Sequence, residues 1–309
     1  MNNKAMRIIP KAFKTWKTNL FKQRFSSTSN GALSHLTQLK KIIGNDSVLV
    51  DDITNYTSDW TKSFSGGTVV CLPKNTDQIC NLLKYCNQYH LGITPQGGNT
   101  GLVGGSVGIG DEIILSLRHM NRIISINPTT GILVCEPGCI LSTLNAAVSS
   151  YGYMVPLDLG AKDSCMIGGN VSSNAGGLRV MRYGSLHSNV LEMEVVCGSG
   201  VRQRVGREVE KDNTGYALKH LFIGSEGTLG VITEITLKLA PKPTTTTVTV
   251  MKLRSFSHAL SLLVKVKHKL SDILSAFEFF DLACVSVVKQ HLPHLITDDI
   301  FIKNSNNMA

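Results

Sequence analysis

The 309-residue chain contains no apolar run near the roughly 20 residues that a membrane-spanning helix needs. It also has no Cys-x-x-Cys pair, and no apolar core of a secretory signal precedes the body. Its eight cysteines (Cys71, Cys80, Cys86, Cys135, Cys139, Cys165, Cys197 and Cys284) are scattered. They read as reduced, mostly buried thiols of an intracellular protein. Acidic residues are missing before Asp46, where nine basic ones stand (Lys4, Arg7, Lys11, Lys14, Lys17, Lys22, Arg24, Lys40 and Lys41). The remainder holds 22 basic against 22 acidic residues, so the formal charge of +9 belongs to this first stretch. The body is therefore no polyanion-binding surface, and nucleic acid is not expected as a partner. A hydrophobic fraction of 42% with 17% charged residues excludes global disorder.

The acid-free N-terminus has its own pattern. Basic residues recur every few positions, while Met6, Ile9, Phe13, Trp16, Leu20 and Phe21 fall near a helical period on another face. The stretch ends in Arg24-Phe25-Ser26-Ser27. Residues 1–28 are thus expected to be a mitochondrial presequence, the positive face suiting a negative-inside membrane potential. The alternative is a solvated basic tail.

Glycine is abundant and unevenly placed. Of 28 glycines, eight lie from Gly92 to Gly110, six from Gly160 to Gly184 and seven from Gly198 to Gly230. Glycine is entropically costly to order, so such density points to backbone that approaches a ligand closely or turns with positive φ. Strand signals surround the clusters: Thr68–Pro73, Ile93-Thr94, Ile113–Ser116, Ile123–Ile126 and Ile132–Cys135. Helices are expected at Thr76–His90, with Leu82, Leu83, Cys86 and Tyr89 on the apolar face, and at Ile140–Tyr151. A hairpin is expected for Val190–Val196 and Val201–Val205 across Gly198-Ser199-Gly200. From Val231 to Leu239 the odd-numbered positions form one apolar face. Composition shifts at Pro241-Lys242-Pro243, where a domain boundary is expected. Beyond it Thr244–Val250 reads as a strand, Phe256–Leu270 as an amphipathic helix and Ala276–Phe280 as a further strand, followed by a short helix.

The first cluster, Pro95-Gln96-Gly97-Gly98-Asn99-Thr100-Gly101-Leu102-Val103-Gly104-Gly105-Ser106, can present successive main-chain N–H groups as an anion nest. Asn99, Thr100 and Ser106 add side-chain donors, and no Lys or Arg lies within it. It is not a P-loop, since no Gly-Lys-Ser/Thr follows. Nor is it a dinucleotide fingerprint, since a strand rather than a helix comes next. The second cluster, from Gly160 to Gly177, mixes small polar residues with two glycine pairs, Gly168-Gly169 and Gly176-Gly177. Such a segment can lie against a flat ring system without a steric clash; a tight packing loop is the alternative.

Four motifs then resemble one family in their order: Pro95–Gly101, Ile167-Gly168-Gly169-Asn170 with Asn174-Ala175-Gly176-Gly177, Arg182-Tyr183-Gly184, and Gly224-Ser225-Glu226-Gly227-Thr228-Leu229-Gly230. The chain resembles the FAD-binding oxidoreductase/transferase type 4 family, with the vanillyl-alcohol oxidase or p-cresol methylhydroxylase (PCMH) type of FAD domain. Asp212-Asn213-Thr214-Gly215-Tyr216 makes it most similar to the branch that oxidises D-2-hydroxyglutarate. The resemblance implies an α+β fold: two α+β subdomains with non-covalent FAD between them, followed by an incomplete α+β cap domain. The implied division is 29–63 lead-in, 64–243 FAD domain and 244–309 the start of a C-terminally truncated cap. It implies that Gln96, Gly97, Gly98, Asn99, Thr100, Gly101, Leu102, Gly105 and Ser106 cradle the pyrophosphate. Ser164, Ile167, Gly168, Gly169, Ser173 and Asn174 would line the flavin and its phosphates, Tyr183 and Gly184 would lie close by, and Glu226 and Ile232 would hold the adenosine half.

Other implications concern chemistry. Some relatives bond the flavin through a histidine of the first loop; none lies between Gln96 and Gly110. Asp163 and Met166 stand where relatives usually carry Gly and His. A solvated carboxylate there would repel a pyrophosphate by about 1 kcal/mol, and Lys162 would offset it. Family members oxidise an (R)-2-hydroxy acid to a 2-oxo acid, here D-2-hydroxyglutarate to 2-oxoglutarate, and pass electrons to an acceptor such as electron-transfer flavoprotein in the mitochondrial matrix. A D-lactate or glycolate dehydrogenase, or a non-catalytic FAD-binding short form, is the alternative. The family's His-x-x-Gly-Asp-Gly-Asn-x-His metal and base motif does not occur in the chain, so no catalytic or metal-ligating residue is expected in it. His291 and His294 flank Pro293 without an adjacent acid and read as tail; His187 reads as a polar packing residue.

Overall fold

A computed structural model describes residues 31–295. The presequence expectation and the last residues, from 296, lie outside that range. The first lobe opens with α1 (Leu36–Ile43), β1 (Val48–Leu49) and the single-turn α2 (Thr54–Thr57). It continues with β2 (Val69–Cys71), α3 (Thr76–Gln88), β3 (Ile93–Gln96) and β4 (Ile113–Ser116). The sheet order is β1-β2-β4-β3, with β2, β4 and β3 parallel and β1 antiparallel at the edge.

Side-chain alternation in these short strands makes two layers. Val69, Cys71, Ile113 and Leu115 point toward α1 and α3 and meet Leu39, Ile43, Ile79, Leu82 and Cys86. Val70, Leu72 and Ile114 point the other way, toward Ile53 and Tyr56. Each fully buried aliphatic side chain contributes roughly 1.5–3 kcal/mol. Asn75 caps α3 by accepting from the Gln78 amide at 2.9 Å. The expected helix ends earlier than its apolar pattern suggests. Tyr89 is its C-cap, 48% exposed, and stacks on Tyr85 and His35 outside the core.

The second lobe holds β5 (Ile123–Asn127), β6 (Ile132–Cys135), α4 (Leu141–Ser149) and β7 (Tyr153–Met154). Three short helices follow: α5 (Ile167–Ser172), α6 (Val180–Tyr183) and α7 (Leu186–Asn189). Then come β8 (Val190–Cys197), β9 (Arg202–Gly206), α8 (Lys219–Phe222), β10 (Gly230–Lys238) and β11 (Ala240–Pro241). The main sheet is antiparallel throughout, in the order β5-β6-β10-β8-β9. The expected hairpin is present, and Gly200 (φ +76°) makes its turn against the Cys80 carbonyl of α3.

The one-faced reading of β10 needs correction. Ile232 and Thr236 are buried as well as Val231, Thr233, Ile235 and Leu237. The strand is central, and each face meets a core: Val231 and Val196 join the first lobe's cluster, while Ile232, Ile235 and Leu237 join the second's. Glu194 sits in this joint. Its buried carboxylate accepts from Thr76 of α3 (3.0 Å), Thr233 of β10 (2.8 Å) and Arg202 of β9 (2.6 Å).

Beyond Pro243 the expected strands 244–250 and 276–280 are absent: neither segment has regular structure. Val248 is 83% exposed. Threonine and valine favour an extended backbone, but a strand needs a neighbour to close its hydrogen bonds, and none is paired to this stretch among the described residues. Helices do form, as α9 (Phe256–Lys269) and α10 (Leu282–His291). Ala259 is the one buried residue of α9, and Phe256, Leu260, Val264 and Leu270 of the expected apolar side are exposed.

Candidate functional site

The C-terminal end of β3 opens directly into the first glycine loop. Gln96 is buried there, and its Nε2 donates to the Tyr56 carbonyl (2.8 Å) and the Ser106 carbonyl (2.7 Å). From Gly98 to Gly105 no backbone amide meets a well-aligned acceptor among the described residues. Their hydrogen-bonding capacity is unspent within the described chain, and all of these residues except the buried Gly104 are half-buried or exposed. Asn99 takes a left-handed φ of +54°, which asparagine tolerates better than most residues. Thr100 is half-buried, and Gly101, Leu102 and Gly105 are exposed.

Two expected side-chain donors are already engaged. Asn99 Nδ2 donates to the carbonyls of Ser58 (2.8 Å) and Asn55 (3.2 Å), and Ser106 Oγ donates to Asn99 Oδ1 (2.7 Å). This corrects the reading of Asn99 and Ser106 as free donors. Sequence reasoning missed their partners because Asn55 and Ser58 fall in the stretch 29–63, which read only as a lead-in. The one local signal was the polar run Asn55-Tyr56-Thr57-Ser58-Asp59.

The second cluster packs directly on the first. A Cβ on Gly97 would lie 3.3 Å from Gly169 Cα, and one on Gly98 would lie 2.3 Å from the Ser164 carbonyl oxygen. Only bare main chain fits at Gly98. Behind them α5 is fixed to the β6 end: Ile167 donates to Cys139 O (2.9 Å) and Gly168 to Pro137 O (2.8 Å). A Cβ on Gly168 would lie 2.4 Å from Pro137 Cβ. Ile167 is fully buried, so its side chain is core and only its main chain is available. Ser164 and Ser173 are exposed; Ser173 Oγ donates to the Gly169 carbonyl at 2.9 Å.

The third cluster closes the ring. Glu226 (φ +52°) donates its amide to Ser172 O at 2.8 Å, and its Oε2 lies 3.3 Å from where Gly105 would carry a Cβ. Gly224 donates to Val171 O and faces Asn174, while Gly227 packs on Pro95. Three predicted positions stand apart from this meeting. Ile232 is core, although no strand pairs with β10 on the β6 side before Ile235. Tyr183 lines a separate cleft of about 310 Å3 with Pro156, Ser188, Asn189 and Lys238. Gly184 packs against Ser188. Lys162 and Asp163 are both exposed, so solvent screens their opposing effects on a bound anion.

Two amide oxygens that the sequence could not single out as orphans, Asn170 Oδ1 and Asn174 Oδ1, are buried and without a hydrogen-bond partner. A buried acceptor left unpaired costs about 1–3 kcal/mol. Both belong to the second cluster, where a ligand bearing N–H or O–H groups would satisfy them. Open amides for phosphate, glycines too close-set for side chains, and orphan acceptors are together what a dinucleotide with a polar-edged ring requires.

Residues 68–206 match the family model described as "FAD binding domain". This stretch is similar to FAD-binding domains. Its architecture is the PCMH/vanillyl-alcohol-oxidase fold, and the residues just described fit the cofactor. A solved alkyldihydroxyacetonephosphate synthase has the same fold: TM-score 0.66 at 18% identity, covering 80% of this chain and 48% of that one. Among curated relatives, "D-2-hydroxyglutarate dehydrogenase, mitochondrial" of Arabidopsis thaliana is 45% identical over 271 residues, which is 87% of this chain and 48% of the relative. The Bos taurus protein of the same name is 48% identical over 235 residues, 76% of this chain and 43% of the relative. The chain thus spans about half the length of the curated relatives it matches, and that half contains the stretch similar to FAD-binding domains.

Proposed function

We propose that this chain is the cofactor-binding part of a flavin-dependent (R)-2-hydroxy-acid dehydrogenase, acting on D-2-hydroxyglutarate to give 2-oxoglutarate. The observation that carries the proposal is the meeting of three separate glycine segments around a loop whose amides from Gly98 to Gly105 have no aligned acceptor among the described residues. The D-2-hydroxyglutarate dehydrogenases similar to it support the substrate. We place the enzyme in the mitochondrial matrix, with an acceptor such as electron-transfer flavoprotein taking the electrons. The division proposed for the chain is 64–243 for the FAD-binding domain and 244 onward for the beginning of a substrate domain.

Bound FAD supplies the two-electron acceptor for the α-hydrogen of the hydroxy acid. The chain's own residues hold and orient the cofactor. Amides from Gly98 to Gly105 stabilise the pyrophosphate charge through dipoles, without a cationic side chain. Asn170 and Asn174 offer acceptors to hydroxyl or N–H groups. The contact of Gly97 with Gly169 keeps side chains out of the space between the loops. Attachment through the first loop is non-covalent in this reading, because no histidine stands in it.

The test is a flavin spectrum of the purified chain, followed by anaerobic addition of D-2-hydroxyglutarate and, separately, D-lactate. A yellow protein that releases its flavin on denaturation is the expected result. Bleaching by D-2-hydroxyglutarate assigns turnover to this chain, and preferential bleaching by D-lactate reassigns the substrate. A yellow protein that bleaches with neither limits the chain to holding FAD. A colourless protein that FAD cannot reconstitute defeats the reading.

A further inference from the structure

The glycine loop does not hold its own shape. Between Gly97 and Gly105 it has five glycines and no regular structure, and from Gly98 onward its amides have no aligned acceptor among the described residues. What fixes it is a closed ring of side-chain hydrogen bonds. Gln96 Nε2 binds the Ser106 and Tyr56 carbonyls, Ser106 Oγ binds Asn99 Oδ1, and Asn99 Nδ2 binds the Ser58 and Asn55 carbonyls. Every cross-segment link runs to main-chain carbonyls of the single turn 55–58. The same segment packs along the rest of the loop. A Cβ on Gly104 would lie 2.5 Å from the Phe64 ring, and one on Gly66 would lie 2.2 Å from the Gly108 carbonyl oxygen. The Arg118 guanidinium lies over the Tyr56 ring at 5.4 Å and holds the turn from its other side.

We infer that residues 55–66, upstream of the matched FAD-binding stretch, form the back wall of the cofactor site, and that Asn99 is a positioning residue gripping this wall. The inference rests on the FAD reading above and adds how the loop is preorganised. Both Nδ2 protons of Asn99 are engaged by carbonyls, so the side chain has no donor left for a phosphate. Its effect on FAD is indirect: it keeps the loop in the conformation that binds. A loop that samples other conformations lowers the apparent affinity by the fraction of time it is competent.

Asn99→Asp tests this, because the change is nearly isosteric and turns the donor into a third oxygen facing two carbonyls. Asn99→Gly is the second variant; it keeps the positive φ and removes the grip. FAD affinity is measured by quenching of flavin fluorescence. Amide hydrogen exchange over 55–66 is measured on the cofactor-free proteins. Both variants are expected to weaken FAD binding at least tenfold, to speed exchange over 55–66, and to recover the wild-type flavin spectrum at saturating FAD. Wild-type affinity in both variants overturns the inference. So does weakened affinity with unchanged exchange over 55–66, which would mean that Asn99 touches the cofactor itself. Failure of the wild-type chain to bind FAD refutes the cofactor reading instead, and the exchange comparison still reports on the wall.

Discussion

At the scale of single residues, the site is made by atoms that are absent. Gly98 and Gly101 sit in the same loop and look equivalent in sequence, yet their surroundings differ. A methyl group at Gly98 meets the Ser164 carbonyl at 2.3 Å, whereas one at Gly101 meets nothing within 4 Å. Gly98→Ala must therefore push the two loops apart. Forced overpacking costs roughly 1–3 kcal/mol, so the melting temperature of the cofactor-free protein should fall and FAD binding should be lost. Gly101→Ala should leave the cofactor-free melting temperature unchanged. Any loss of FAD affinity in that variant then reports direct contact between main chain and cofactor. Thermal melts with and without FAD separate the two cases. The buried thiols are a contrast: burial pushes Cys71 and Cys86 up to about 12, which leaves them as inert core residues.

Among the elements, β8 and β10 are the rigid part. Both are buried nearly end to end, and β10 is paired on both edges from Ile235 onward. The helices beyond Pro243 are the opposite case, with intact capping and little packing. Ser255 and Asp281 cap α9 and α10, but one side chain of α9 and none of α10 is buried. Helix stability in proteins comes mostly from packing of one face. Amide exchange in α9 and α10 should accordingly be orders of magnitude faster than in β8 and β10. Protection of α9 equal to that of β10 would show that its apolar side is covered in solution.

For the molecule as a whole, two sites set the response to acid, the first of them the joint between the lobes. Burial raises the Glu194 carboxyl, but hydrogen bonds from Arg202, Thr233 and Thr76 outweigh it and hold the group below its ordinary value of 4.5. A depressed carboxylate contributes stability above its unfolded pKa and loses it as pH falls through the folded one. His220 acts at higher pH. Its Nδ1 lies 2.7 Å from His187 Nδ1, joining α7 to α8 through one shared proton. Burial, His187 and nearby Lys219 all lower its pKa from 6.5. The unfolded state therefore takes up a proton first as pH drops through 6.5, and the native state is destabilised relative to it. The melting temperature should decline in two stages, one starting near pH 6.5 and one below about pH 4.5. His220→Gln should abolish the first stage. Glu194→Gln should abolish the second and lower stability by about 2 kcal/mol at neutral pH; a Glu194→Gln protein as stable as wild type would show that the joint does not depend on the charge.

Several features were legible from the residues alone because they are local. Short apolar runs marked β2, β4 and β6, the Gly198-Ser199-Gly200 turn marked the β8–β9 hairpin, and the resemblance of the glycine motifs to a known family pointed to FAD. The tertiary structure decided the rest. Whether Thr244–Val250 forms a strand depends on a neighbouring chain segment to bond with, which no propensity supplies. Which side chains of the first loop face a ligand depends on residues some 40 positions upstream, because a hydrogen bond to the Ser58 carbonyl leaves no trace in the identity of Ser58. Composition records which groups can donate and accept; only the folded chain determines which of them are already satisfied, and so which remain for a cofactor.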